Sequence, residues 1–226
     1  MSKKVCLLAC LAFSLCSFAA AQGNAKSGTV DFNELKPSLM VTPIFSEIVV
    51  LHFPAGFVGV YAHTNPHPDG AFYIQENVLQ GETADQWSQM ITTTGKEGLA
   101  SNANLTPKAV LESIAAGFKR GCPETFSVKG IGSAKVGDHD AFAAWVSCGT
   151  VKSAAGAHSE STLLIAVKGT ADYFTLQWAE RGPASNQPLV YDEAKWGDRL
   201  KKLMPEKMCP RVPGEAAPYP SCVDKK

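Results

Sequence analysis

The chain has 226 residues, 21 basic and 21 acidic side chains, 45% hydrophobic residues and seven cysteines. A nucleic-acid binder needs a basic face to displace phosphate counterions, and the balanced, unclustered charge excludes that class. The densest basic stretch, Arg199-Leu200-Lys201-Lys202, reads as the solvated end of a helix, where positive charge suits the negative end of the dipole.

Residues 1–21 read as a cleavable signal peptide. Lys3 and Lys4 precede an apolar run from Val5 to Ala21, and Ala19-Ala20-Ala21 before Gln22 supplies the small residues a signal peptidase requires. Two alternatives compete with cleavage: an uncleaved anchor, because the run approaches membrane-spanning length, and lipidation at Cys10 within Leu7-Leu8-Ala9-Cys10. Lipidation would leave the rest of the apolar run on the mature protein, and the small-residue end favours cleavage after Ala21. Taking Lys3 and Lys4 away leaves 19 basic residues against 21 acidic, a net of −2. The protein is then periplasmic or secreted, with no stable membrane insertion.

Cys122, Cys148, Cys209 and Cys222 lie beyond the leader. An even number in an exported chain reads as two disulfides with three connectivities. Cys122–Cys148 and Cys209–Cys222 are favoured, the second closing a proline-rich loop worth about 3 kcal/mol in the chain-entropy model. A four-cysteine zinc site is disfavoured by the lack of any Cys-x-x-Cys pair.

Residues 22–42 read as a flexible, polar segment. Ile48–Phe53 and Phe57–His63 read as strands, Asn65–Gly70 as a turn, and Ala71–Leu79 as a strand with Phe72, Ile74 and Val78 on its dry face. Thr83-Ala84-Asp85-Gln86 matches a capping box and predicts a helix carrying Ala84, Trp87, Met90 and Ile91 on one side. Thr106-Pro107 opens a second helix with Val110, Leu111, Ile114 and Phe118 as its stripe, ending at Gly121. Four strands follow, at 126–136, 141–151, 161–168 and 171–179, with hairpin-length joints between the first pair and between the last. A closing helix spans Asp192–Met204, and Pro205 stops it. The tail 205–226 reads as irregular because of its prolines.

These elements predict one α+β domain over 43–204. Its antiparallel sheet of six to seven strands is flanked by helices in an α/β/α sandwich-like arrangement. Their order, with Glu82-Thr83-Ala84-Asp85-Gln86-Trp87 entering the first helix, resembles the Mog1/PsbP-like α/β/α sandwich superfamily. That resemblance implies an accessory, chaperone or binding role. It transfers no site residue.

Candidate chemistry is sparse. His63 and His67 stand four apart, but Pro66 and Pro68 forbid the helix that would align them on a metal. His52 reads as a hydrogen-bonded strand histidine; His139 and His158 have no local partner. Ser159-Glu160-Ser161 beside His158 holds hydrolase residue types without a nucleophile elbow. Lys129-Gly130-Ile131-Gly132-Ser133 lacks the helix a phosphate loop needs. Glu76, Glu160 and Glu180 would serve a glycosidase only if two of them faced each other across a cleft. Trp87, Trp145, Trp178 and Trp196 read as core. Tyr61, Tyr73 and Tyr173 on strands form the candidate recognition surface.

The expectation is a non-enzymatic exported accessory protein, with no cofactor and no metal, whose partner is another protein of the cell envelope. An inhibitor or immunity-type partner of an exported enzyme is a narrower form of the same reading. A hydrolase with a dispersed His/Ser/Glu site, or an envelope protein using its proline-rich tail as a contact arm, are the alternatives.

Overall fold

The apolar run Ile48–Phe53 forms most of strand β2 (Glu47–Phe53), and only His52 in it is exposed. A continuous hydrophobic run needs cover on both faces: Val49, Leu51 and Phe53 join the main core, and Ile48 and Val50 pack with Cys222 on the other side. Strand β1 (Ser38–Ile44) returns along one side of β2 through a tight turn, and β10 (Lys207–Pro210) pairs along the other. The computed structural model describes residues 37–153 and 156–223. The leader at 1–21 therefore lies outside the described residues, as does most of the segment read as flexible. That segment is nevertheless strand from Ser38 onward. The tail likewise contributes a strand and a short helix, α3 (Pro220–Val223).

A larger sheet holds β3 (Phe57–Asn65), β4 (Phe72–Leu79), β5 (Gln89–Lys96), β6 (Phe126–Val136), β7 (His139–Ser153), β8 (Gly156–Lys168) and β9 (Tyr173–Pro183). Their order is β3-β4-β5-β9-β8-β7-β6, and every neighbouring pair is antiparallel. Helix α1 (Pro107–Gly121) begins where expected, its N-cap Thr106 hydroxyl accepting from the Ala109 amide at 3.2 Å. Leu111, with Val110, Ile114 and Phe118, packs on Ala144, Val146, Leu164 and Ala166 of β7 and β8. Helix α2 (Glu193–Leu203) covers the opposite face together with β1 and β2. Its Trp196 and Leu203 join Trp145, Leu163, Ile165, Leu176 and Leu51 in the main core. Each fully buried side chain of that size contributes about 2 kcal/mol.

The expected sheet and flanking helices are present, but one face is covered by a three-stranded sheet as well as by a helix. One element is corrected. Residues 84–91 do not form a helix. The Gln86 amide donates to the Thr83 hydroxyl at 3.1 Å, one half of a capping box, while the Thr83 amide donates to the Gln86 backbone carbonyl, and the chain then enters β5. Ile91-Thr92-Thr93-Thr94 is β-branched throughout. Such residues lose rotamer freedom in a helix and pack well in a pleated sheet, here between β4 and β9. The local cap forms, and tertiary pairing overrides its continuation.

Cys122 pairs with Cys148 and Cys209 with Cys222, at Cα separations of 5.7 and 5.6 Å. The first ties the end of α1 to β7. The second closes the tail beneath the small sheet, where Cys222 packs with Ile48 and Val50. No helix among the described residues is long and apolar enough to cross a membrane.

Candidate functional site

Helix α1 packs on β6, β7 and β8, while β3 lies at the opposite edge of the sheet. On the α1 side, directly opposed residues run in rows from that edge inward: Tyr61, Glu76, Thr92 and Gln177, then His63, Ile74, Thr94 and Thr175. Eight of the nine residues of β3 are exposed. Val58, Val60, Tyr61 and Phe72 keep 41, 37, 47 and 39% of their surface, which makes this edge the site of an exposed apolar patch. The floor behind it is polar. The Thr94 and Thr175 hydroxyls share a 2.7 Å hydrogen bond, to which Gln177 adds a donor at 3.4 Å.

Glu76 stands in the middle of this surface. Burial holds its carboxyl above the ordinary value, with no offsetting charge. The cations on the same face are engaged elsewhere. Lys96 donates to the Gly70 carbonyl, Lys168 to the Asn102 and Leu105 carbonyls, and Arg181 stacks over Trp87 at 3.7 Å.

Only one of the three tyrosines expected to share an exposed face does so. Tyr61 is on the open surface. Tyr73 points to the other side, packs on the main core and donates to Gln75 Oε1 at 2.9 Å. Tyr173 is 2% exposed, and its hydroxyl bonds the Leu105 carbonyl. The reason lies in β3: a bulge between Gly59 and Tyr61 inserts Val60 and switches the face of every later residue. Phe57 therefore meets Trp178 edge-on at 5.5 Å within the core, while Tyr61 faces outward.

The catalytic alternatives lose their geometry. His158 and Glu160 lie on one side of β8, with Nε2 to Oε2 at 3.7 Å; Ser159 and Ser161 alternate to the other side. Glu180 points away from Glu76 and pairs with Lys195 and Arg199. Glu76 and Glu160 share a face but stand three strands apart and four residues along, roughly 20 Å by strand spacing and rise, too far for a carboxylate pair. His67 accepts from the Asp69 amide at 3.2 Å, and His52 lies 3.6 Å from Glu206 at the surface. Among the described residues no group of three or more His, Cys, Asp or Glu side chains could hold a metal. Trp145, Trp178 and Trp196 are core; Trp87 is the cover on Arg181.

A cleft of about 930 Å³ opens between β2, the start of β3 and the end of α2. Phe57, Leu79, Trp178 and Met204 line it, with His52, Glu206 and Lys201 at its rim. Trp178 donates to Gln89 at 2.9 Å, and Arg199 donates to the same oxygen at 3.0 Å. Among the described residues its lining holds no serine, threonine or cysteine.

No family model matches the chain, and no curated protein is similar to it. Among solved structures it is similar to the Saccharomyces cerevisiae Ran-binding protein Mog1p, at 14% identity over 74% of this chain and 86% of that one, with a TM-score of 0.38. A mutant of the protein Mog1 gives 14% identity, 75% and 86% coverage and a TM-score of 0.37. The solution structure of cyanobacterial PsbP (CyanoP) from Synechocystis gives 10%, 77% and 91%, and 0.36. The likeness is to a Mog1/PsbP-like fold, and no property of those proteins enters the reading of this chain's site.

Proposed function

We propose that this chain is a non-enzymatic exported accessory protein that binds another protein of the cell envelope through the free edge of β3 and the sheet face beside it. The observation that carries the reading is β3 itself: a nine-residue edge strand, almost wholly exposed, with Val58, Val60 and Tyr61 outward. It contains no lysine, arginine, aspartate, glutamate or proline. Edge strands that must stay single are blunted by such residues or by bulges. Strand β3 carries the bulge at Val60 but none of those residues, and its remaining edge offers main-chain donors and acceptors to an added strand. Export is supported by the leader pattern at 1–21 and by two disulfides, which persist in oxidising compartments.

The test uses the processed protein immobilised against an envelope extract of its own cell. The partner retained by the wild type is lost at least about tenfold, a shift of about 1.4 kcal/mol, in Val58→Asp/Tyr61→Asp. It is kept in Val128→Asp at the far edge of the sheet. Equal retention by all three proteins sinks the assignment to β3. Export is checked separately by amino-terminal sequencing, which should begin at Gln22.

A further inference from the structure

We propose that the Tyr61–Glu76 pair is a seat for a single basic side chain, lysine or arginine, presented by the partner segment that docks on β3. This inference rests on the binding role proposed for that strand and adds the chemistry of the partner.

Tyr61 and Glu76 are directly opposed across β3 and β4, which brings their Cβ atoms to about 5 Å. The tyrosine ring is half exposed and the carboxylate partly buried. Among the described residues Glu76 has neither a hydrogen bond nor an ion pair. Its titratable neighbours on the flanking strands are Tyr61 and His63 on β3; on β5 it meets Thr92, and Gln177 lies beyond on β9. The ring of His63 stands 6.3 Å from that of Tyr61, so the seat has aromatic walls on the edge side and hydroxyl and amide groups on the inner side.

A partly buried carboxylate with no counter-charge costs stability, which an incoming cation would relieve. Among the described residues of this face Lys96, Lys168 and Arg181 are each committed to other groups and supply no cation to Glu76. An incoming ammonium or guanidinium gains the carboxylate and the ring face together. A segment added as a strand along β3 carries alternate side chains over this face. A basic one opposite Tyr61 lies over its ring and reaches toward Glu76 on the next strand, two strand spacings or about 10 Å from the added backbone. An acidic residue there meets a like charge, so the seat also fixes which segments are refused.

The probes are three acetylated, amidated pentapeptides of the pattern Thr-Val-X-Val-Thr, with X as lysine, norleucine or glutamate, titrated into the full chain and followed by two-dimensional NMR. The lysine peptide is expected to shift the amides of Tyr61, Glu76 and Thr92 and to bind about tenfold tighter than the norleucine peptide, the sum of an exposed ion pair and a cation–aromatic contact. Glu76→Gln should abolish that preference while the norleucine peptide still binds. The glutamate peptide should bind weakest to the wild type. If lysine and norleucine peptides bind the wild type equally, the seat is wrong and the strand-docking role stands. If no peptide shifts any β3 or β4 amide, the docking role falls and the seat falls with it.

Discussion

Asp172 is the side chain on which the two sheets meet. It is 1% exposed, accepts from the Ser46 amide at 3.1 Å and hydroxyl at 2.5 Å, and takes the Gly98 amide at 2.8 Å on its other oxygen. The turn of the β1–β2 hairpin is thereby pinned to the β8–β9 hairpin. Beside it, buried Glu47 accepts from the Thr170 amide at 2.6 Å, and a Cβ on Gly169 would stand 1.8 Å from its second oxygen. Asp172→Ala orphans three donors and should cost about 3 kcal/mol in denaturant unfolding. Glu76 acts in the opposite sense. Its folded carboxyl holds its proton above the ordinary value of 4.5, so stability falls as pH rises from there through the folded value. Glu76→Gln should therefore melt higher than the wild type at pH 7, and the difference should vanish near pH 3; a difference independent of pH would contradict the burial of that carboxylate. Little of this was readable from sequence. Asp172 binds groups 74 and 126 positions away, and nothing local marks it. Tyr61 was nameable as a candidate, but its separation from Tyr73 depends on a bulge whose only trace is Gly59 within a strand pattern.

Among elements, the contrast between Thr83 and Thr106 separates local signal from tertiary outcome. Both hydroxyls accept an amide three residues on, at 3.1 and 3.2 Å. Only Thr106 has a helix behind it. Thr106→Ala should destabilise the protein by about 1 kcal/mol, whereas Thr83→Ala should stay within about 0.5 kcal/mol, measured by paired thermal melts. Equal losses would mean that residues 84–88 carry more order than a turn. The hairpins were legible because their joints are short and one needs a left-handed glycine, Gly137 at φ 58°. Strand β5 was not, because a capping motif speaks for three or four residues while its partners β4 and β9 are supplied by distant parts of the chain. The alternation in β4 also misled. Val78 on the expected dry side is fully buried, but Phe72 at its far end is exposed, and the opposite side, with Tyr73 and Asn77, meets the main core.

For the molecule as a whole, the two disulfides do different work. Cys122–Cys148 ties the end of α1 to β7 of the large sheet, whereas Cys209–Cys222 holds the tail against Ile48 and Val50. Replacing Cys209 and Cys222 by serine should lower stability by about 3 kcal/mol and leave peptide binding at β3 unchanged, because β3 belongs to the other sheet. Loss of binding in that variant would mean that the two sheets are coupled at the site. The sandwich class was readable from the order of hairpins and amphipathic helices. The second sheet was not, since both strands flanking β2 come from segments whose proline and polar content argue against regular structure.

That arrangement of β2 has a bearing on how the domain matures. A chain that emerges amino end first presents β1 and β2 at once, yet their second neighbour is Lys207–Pro210, near the opposite terminus. Until those last residues arrive, β2 carries an open row of amides and carbonyls and an uncovered apolar side. The nascent protein is thus committed to waiting, and one of its first strands to appear is the last to be closed.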